Sequence, residues 1–338
     1  MKTKLLLKAT LVALVFGACS SEDPAATNDL NKYTKAADSD TGGESEYNVR
    51  QLQDNALQRK TQKFIFDTDE GEVVFETESG TIININTETL TVKGDHVGGT
   101  AILEYVEIFG RSNMVTTNKT TMGVTEEQSD EIEGIDLAPL VSGGEFFINI
   151  TTEEGEQFDD GAEITLSVPT ELTTGDFDEE MDGWEGEEND EGDVIWKLDE
   201  GDPIAGGDGY YLFNPPRFGW CNIDVLRAEN GETTTILVDV PDGFDDTNTN
   251  VYLAIAGEVN TLAPLDTYDY NTELFSEHYG QVPVGLDGYI IFVSGTNNQW
   301  LYAIIPVTFA PNDIIVVDQG DIVAGTQADL ENAVDSLQ

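Results

Sequence analysis

The chain has few side chains that could serve as a catalytic base or bind a transition metal. Nucleophilic catalysis needs a serine, threonine or cysteine beside an activating base, usually a histidine, and the only histidines are His96 and His278. Each stands alone in a loop-like stretch, and no HExxH or CxxC spacing indicates a zinc site. Cys221 lies in an apolar run, which favours a small buried side chain over a reactive thiol. We therefore predict no catalytic centre and no enzyme activity.

The 66 acidic residues could supply paired carboxylates of the kind that glycosidases use. A catalytic acid needs burial to raise its pKa, and most of these residues fall in polar, loop-like stretches. Because acids are so abundant, spacing alone singles out no pair.

A short stretch of the chain has the side-chain spacing of a calcium-binding loop. Four carboxylates stand at alternate positions before a glycine, in the order Asp176, Asp178, Glu180, Asp182 and Gly183. Calcium prefers such oxygen ligands, and extracellular sites bind it at millimolar concentrations. The twelfth loop position is Asn189, where an EF-hand has a bidentate glutamate, so the stretch is not an EF-hand. The spacing favours a solvated acidic linker, with a looser carboxylate cage for Ca²⁺ from Asp176, Asp178, Glu180 and Asp182 as the alternative; we predict no other cofactor.

Two further groups of side chains could bind a ligand. The second candidate calcium set is Asp242, Asp245, Asp246 and Asn248. The aromatic set is Trp184, Trp196, Trp220 and Trp300, with the tyrosines of residues 268–279. Large aromatic rings can stack on sugars, but in β-sandwiches they more often fill the core.

The N-terminus has the composition of a secretory signal. Lys2 and Lys4 precede a short apolar run from Leu5 to Phe16, which ends in small residues. About a dozen apolar residues are too few for a membrane span, which needs about 20. The segment resembles a bacterial lipoprotein signal, whose lipobox is Phe16-Gly17-Ala18-Cys19. This resemblance implies that the mature chain begins at Cys19, which is lipidated and holds the protein on a membrane; an ordinary cleaved signal is the alternative.

Acidic residues begin three positions after this cysteine. Ser20-Ser21-Glu22-Asp23 resembles the surface-export signal of Bacteroidetes lipoproteins. The resemblance implies an outer-membrane lipoprotein of the cell envelope that faces the extracellular medium.

The net charge restricts the possible partners. Residues 1–18 contain three lysines and no acid, so the mature chain has 66 acidic against 12 basic side chains and a formal charge of −54. Such a field repels nucleic acid and anionic lipid headgroups, so we predict no nucleic-acid partner. The partners that remain are the membrane, reached through the lipid anchor, and an unidentified envelope protein or glycan.

Hydrophobic periodicity predicts an all-β chain. Short alternating strands separated by glycine-containing turns indicate two β-sandwich domains in tandem. The predicted segments are a signal peptide (1–18), a lipidated N-terminus and tether (19–62), sandwich 1 (63–170), an acidic joint (171–193), sandwich 2 (194–318) and a C-terminal tail with a short helix (319–338). Within the tether, residues 51–62 could form a lead-in helix or an extended arm.

Several strand motifs support a family resemblance. They include Gly80-Thr81-Ile82, Leu103-Glu104-Tyr105-Val106-Glu107-Ile108, Val141-Ser142-Gly143-Gly144-Glu145-Phe146 and, later, Phe218-Gly219-Trp220-Cys221-Asn222-Ile223-Asp224. The chain resembles Bacteroidetes surface lipoproteins and, in the predicted sandwich 1, more distantly the ZU5-type β-sandwich. These resemblances imply a non-catalytic binding or structural module. If the acidic joint binds calcium, the ion would stiffen this module. The alternative is a glycan-binding or glycan-active accessory protein.

Overall fold

The computed structural model describes residues 48–124, 137–189, 192–199, 204–207, 209–226, 232–277, 279–280, 282–296 and 299–337. The predicted signal peptide, Cys19 and the acidic residues that follow it lie outside this part of the chain, as does His278. Within the described residues no helix is both long and apolar enough to cross a lipid bilayer.

The described residues form 25 strands and three α-helices. The helices are α1 (Val49–Lys60), α2 (Arg111–Thr117) and α3 (Gln327–Asp335). The first twelve strands are β1 (Gln62–Asp67), β2 (Glu72–Glu76), β3 (Ile82–Asn86), β4 (Thr91–Val92), β5 (Asp95–His96), β6 (Thr100–Ile108), β7 (Met122–Val124), β8 (Leu137–Thr152), β9 (Ile164–Pro169), β10 (Asp182–Glu188), β11 (Val194–Leu198) and β12 (Ala205–Gly207). The others are β13 (Tyr210–Phe213), β14 (Gly219–Leu226), β15 (Thr233–Thr234), β16 (Leu237–Asp239), β17 (Thr249–Ile255), β18 (Ala263–Pro264), β19 (Thr267–Asp269), β20 (Leu274–Ser276), β21 (Val282–Pro283), β22 (Asp287–Thr296), β23 (Gln299–Thr308), β24 (Ile314–Val316) and β25 (Val323–Gly325).

The prediction of an all-β chain with a short C-terminal helix is confirmed. In β9 the apolar side chains of Ile164, Leu166 and Val168 are buried and alternate with partly exposed ones, as a half-buried strand requires. Helix α3 begins at a capping box between Thr326 and Asp329, which satisfies two N–H groups at its start.

A first pair of sheets packs face to face. The larger has the strand order β1-β6-β8-β14-β10-β11-β7, and β7 also pairs with the start of β8. The smaller has the order β12-β13-β9-β3-β2. Alternate residues of both fill a common core that includes Leu103, Phe146, Ile223, Ile83 and Leu166.

A second pair of sheets forms the other sandwich. Its sheets have the orders β18-β17-β22-β23-β25 and β19-β20-β16-β24, beside a small β15-β21 ladder. Side chains of β17, β22, β16 and β24 meet in its core. Strand β22 is apolar on both faces, and both of its faces are covered.

The three helices lie between the two sandwiches. A third apolar cluster joins α1, α2 and α3 to the outer face of the seven-stranded sheet and to the back of the sheet that contains β17 and β22. Of the two possibilities for residues 51–62, the structure has the helix: α1 packs into this layer through Val49, Leu52 and Ala56, and Asn48 caps it by accepting a hydrogen bond from the Gln51 N–H.

Strand pairing crosses the predicted segment boundaries at residues 170 and 193. Strand β10 starts inside the predicted acidic joint, and β14 lies in the predicted second sandwich, yet both extend the sheet that contains β1, β6 and β8. The physical reason is that alternation fixes which face of a strand is buried but not which strand it pairs with.

Candidate cation sites and surface cleft

The four carboxylates predicted to bind calcium lie in and just before β10. Asp176, Glu180 and Asp182 are exposed, and Asp178 is half-buried. The Asp178 side chain accepts a hydrogen bond from the Glu180 N–H at 3.0 Å, which forms a local turn. Among the described residues, no three Asp, Glu, His or Cys side chains gather into a group that could hold a metal ion. The structure therefore does not bring these carboxylates together as a cage, and calcium binding here stays a prediction.

The second candidate set, residues 242–248, forms a turn closed by its own side chains. Asn248 Oδ1 accepts a hydrogen bond from the Asp245 N–H at 3.1 Å. Asp245 Oδ1 in turn accepts one from the Thr247 N–H at 2.9 Å. These bonds account for the acidic and amide residues as turn formers before β17.

The aromatic residues considered for sugar stacking fall into two groups. All four tryptophans are buried, with exposed fractions of 0–5%. The indole N–H groups of Trp184, Trp196 and Trp220 are used internally, as where Trp196 donates to the Thr120 carbonyl at 2.7 Å. Tyr268 and Tyr270 lie nearer the surface, but their rings meet at 88°, so they do not form one flat stacking surface.

The other two residues considered for chemistry are His96 and Cys221, and their surroundings indicate a structural role. His96 Nδ1 lies 3.2 Å from the Leu90 carbonyl, and its Nε2 lies 3.5 Å from an Asp69 carboxylate oxygen on the surface. The Cys221 thiol is buried, and burial raises its pKa, so it remains protonated. Neither residue is placed beside a nucleophile–base pair.

A surface cleft of about 590 Å³ runs between α1 and the seven-stranded sheet. Asp54 and Gln58 of α1 form one rim, and Lys63 forms part of the other side. The Phe147 and Trp220 rings lie 5.4 Å apart in its lining. The cleft therefore combines apolar area with polar rim groups, as ligand sites do.

Two acidic side chains that the sequence analysis did not single out are completely buried. They lie with an amide and a hydroxyl on adjacent strands β8 and β14, in a group that we call the buried oxygen cluster: Ser142, Glu145, Asn222 and Asp224. The exposed fraction is 0% for Glu145, Asn222 and Asp224. Glu145 is the register partner of Asn222, and Ser142 is the partner of Asp224. Side chains of directly paired residues lie on the same face, about 5 Å apart at Cβ, so the four meet.

A β-bulge places these residues on one face. Between the two pairs, β8 has two residues, Gly143 and Gly144, where β14 has only Ile223. In a regular strand Ser142 and Glu145 would point to opposite faces, since they are three positions apart, and the bulge brings both to the same face. Glycine is required because a Cβ on Gly143 would lie 2.8 Å from the Ile223 carbonyl oxygen.

Four oxygen atoms of the cluster have no hydrogen-bond partner. They are both carboxylate oxygens of Glu145, Asn222 Oδ1 and Asp224 Oδ1. Asp224 Oδ2 accepts a hydrogen bond from Asn222 Nδ2 at 2.7 Å. Burial raises the pKa of Glu145 well above its usual range, and the neighbouring Asp224 raises it further. Burial also raises the pKa of Asp224, against the effect of hydrogen bonds from Ser142, Gly143 and Asn222.

One buried cation lies near the cluster. Lys119, which follows α2, is 3% exposed at its side chain, pairs with Glu188 at 3.1 Å and lies 5.2 Å from the centre of the Trp220 ring. Its charge lowers the pKa of Glu145, but less than burial raises it. The cluster is therefore not neutralised by a direct ion pair with this lysine.

Sequence reasoning missed the cluster for a definable reason. Asn222 and Asp224 alternate with buried Cys221 and Ile223, which is also the pattern of a strand with one face in water. The structure instead covers that face with α2 and its neighbours. The sequence signal that could have indicated the cluster is the Gly143-Gly144 pair directly before Glu145 in a strand that is otherwise rich in aromatic and apolar residues.

No protein-family model matches the chain, and no curated protein does. Among solved structures the chain is similar to the crystal structure of gamma-CGTASE from Alkalophilic bacillus clarkii, with 12% sequence identity and a TM-score of 0.18. The match covers 75% of this chain and 41% of that chain, so this chain spans about two fifths of that protein's length. A likeness of this size bears neither on fold nor on activity.

Proposed function

We propose that this protein is a lipid-anchored component of the cell envelope that acts as a non-catalytic binding or structural module. The observation that carries the proposal is Cys19, placed directly after Phe16-Gly17-Ala18 at the end of a charged and then apolar leader. Each buried CH₂ of an acyl chain contributes about 0.8 kcal/mol, so two or three chains hold a protein on a membrane effectively permanently. The acidic residues that follow Cys19 support display on the outer membrane toward the medium.

Expression of the full-length chain in a bacterium with an outer membrane tests the anchor. We expect mass spectrometry to find a mature N-terminus at Cys19 that carries acyl chains, and radiolabelled palmitate to enter the protein. Cys19→Ala should abolish labelling, whereas the matched control Cys221→Ala should keep it, because the Cys221 thiol is buried. An unacylated mature chain would refute the proposal, and protease treatment of intact cells would test surface display.

The predicted calcium loop has its own test. Calcium titrated onto the folded mature chain should bind reversibly at millimolar concentration in the wild type, and Asp176→Asn with Asp178→Asn should remove this reversible binding. The absence of reversible calcium binding in the wild type would remove this site from the proposal.

A second candidate function, glycan binding, is favoured by the cleft beside α1. Its lining combines the half-buried Phe147 ring and the buried Trp220 ring with the polar groups Asp54, Gln58 and Lys63, and ligand sites combine apolar and polar groups in this way. Calorimetric titration with soluble bacterial and plant polysaccharides should then show binding that Asp54→Ala with Gln58→Ala weakens at least tenfold. Binding that is unchanged by these exposed substitutions would exclude this cleft.

A further inference from the structure

We propose that the buried oxygen cluster binds a calcium ion that fastens β8 to β14. The geometry supplies four oxygen ligands without any other partner: two from Glu145, one from Asn222 and one from Asp224. All of them lie at the two register positions on either side of the bulge, on one face of one strand pair. A bound cation would satisfy all four oxygens at once.

The alternative occupants of the cluster are two protons. Two neutral acids would each supply one O–H donor to the remaining orphaned oxygens, which lack a partner because all four atoms are acceptors when both acids are ionised. Buried polar groups are normally paired, and an unpaired one is strongly unfavourable. The four orphaned oxygens therefore require either two protons or one cation, and the metal analysis distinguishes the two.

The ligand set selects the kind of ion. Carboxylate and amide oxygens are hard ligands, which suit calcium or magnesium, whereas zinc and copper sites use imidazole or thiolate. Cys221 points away from the cluster, into the core of the first sandwich. Magnesium dehydrates reluctantly and keeps several waters, while calcium accepts six to eight irregularly placed oxygens. A site with exposed fractions of 0% therefore fits calcium better than magnesium, with Asp224 Oδ2 and the Ser142 hydroxyl adding to the four orphaned oxygens to bring the set to six.

The charge balance supports a divalent ion. Two carboxylates carry two negative charges when ionised, which one Ca²⁺ neutralises. Lys119 already pairs with Glu188 and also donates to the Gly192 carbonyl at 2.5 Å, so its ammonium group has other partners. This proposal does not depend on the lipid anchor, and it concerns different residues from the exposed loop around Asp178.

Metal analysis of the whole mature chain tests the proposal. The protein is unfolded in denaturant, refolded with 1 mM CaCl₂ or with EGTA, desalted, and measured by plasma mass spectrometry. A fully buried ion exchanges slowly, so we expect about one calcium per chain to survive desalting after refolding in calcium. An ion held by the exposed acidic loop would be lost at this step. Less than about 0.2 calcium per chain would overturn the proposal without affecting the lipid-anchor hypothesis.

Matched variants locate the ion. Glu145→Gln and Asp224→Asn keep the side-chain size but remove charge, and Asp178→Asn is the control at the exposed loop. We expect the wild type and the control to melt about 5–10 °C higher after refolding in calcium than in EGTA. The two cluster variants should lose both the retained calcium and this shift. A shift that disappears in Asp178→Asn but persists in Glu145→Gln would overturn the proposal, and if a cluster variant fails to fold, the metal content of the wild type decides.

Discussion

The pH dependence of stability in the absence of calcium gives a direct test of the buried acids. Burial raises the pKa of Glu145 above its ordinary value of 4.5. The folded state therefore holds this proton at pH values where the unfolded chain has lost it. The stability linked to the group is fully present below pH 4.5 and is lost as pH rises from there toward the folded pKa. Glu145→Gln is neutral at every pH, so it removes this loss.

The size of the effect follows from proton linkage. One group that is protonated in the folded state and ionised in the unfolded state changes the unfolding free energy by about 1.4 kcal/mol per pH unit. In EGTA, at pH values between 4.5 and the folded pKa, the wild type should thus lose up to about 1.4 kcal/mol more per pH unit than Glu145→Gln. The charged groups around the site are Asp224, which raises the pKa of Glu145, and Lys119, which lowers it. Both remain in the variant, so the comparison reports the proton of Glu145 together with its coupling to Asp224.

Urea denaturation followed by tryptophan fluorescence measures this difference at each pH. Trp184 and Trp220 lie on the same face of the sheet as the cluster, so their emission reports unfolding around it. Saturating calcium should abolish the difference in slope, because the ion stabilises the ionised carboxylate in the folded state. Parallel curves for the wild type and Glu145→Gln in EGTA would refute the assignment of Glu145 as a buried acid with a raised pKa.

Three further predictions concern the surrounding framework, each measured as the unfolding free energy from denaturant titration. Gly144→Ala should lower the unfolding free energy by about 2–4 kcal/mol, because φ at this position is +124° and the new Cβ would lie 2.7 Å from the Phe109 ring. The control Gly71→Ala also has a positive φ, but its new Cβ would enter open space. It should lower the unfolding free energy by only about 1–2 kcal/mol. Arg111→Ala should lose about 2–4 kcal/mol, since the buried guanidinium donates to three main-chain carbonyls; a loss below 1 kcal/mol would contradict this role. Thr326→Ala should cost about 1 kcal/mol through the cap of α3, and an unchanged midpoint would contradict it.

Local structure was predictable from the sequence where the spacing of apolar residues along the chain determines it. The alternation of Ile164, Leu166 and Val168 predicts β9, and the helical spacing of Leu330 and Val334 predicts α3, because both patterns depend on neighbours in the chain. The buried tryptophans also agree with the core interpretation of large aromatic residues.

Strand partners were not predictable in the same way. The run from Gly219 to Leu226 has the same alternation whether it pairs with β8 or with a strand of the second sandwich. Only the long-range pairing reveals that Asn222 faces Glu145. The acids most easily noticed in the sequence, around Asp178, are abundant because the surface is acidic, whereas the two buried acids occur singly within strands. Local acid density therefore does not indicate which acids are buried.

The position of the buried oxygen cluster explains why such an unfavourable group belongs in this fold. The pairing of β8 with β14 is the point where the first half of the chain receives a strand from the second half, and the helix layer packs on the same face. A purely apolar contact would tolerate a slip of register along two strands that are apolar on both faces, since several alignments bury similar area. Only one register of β8 against β14 brings the oxygens of Glu145, Asn222 and Asp224 together at the Gly143-Gly144 bulge. Any shift of register would separate the two carboxylates. A calcium ion held there would stabilise that single alignment, and the stability of the folded chain would depend on the calcium concentration of its surroundings.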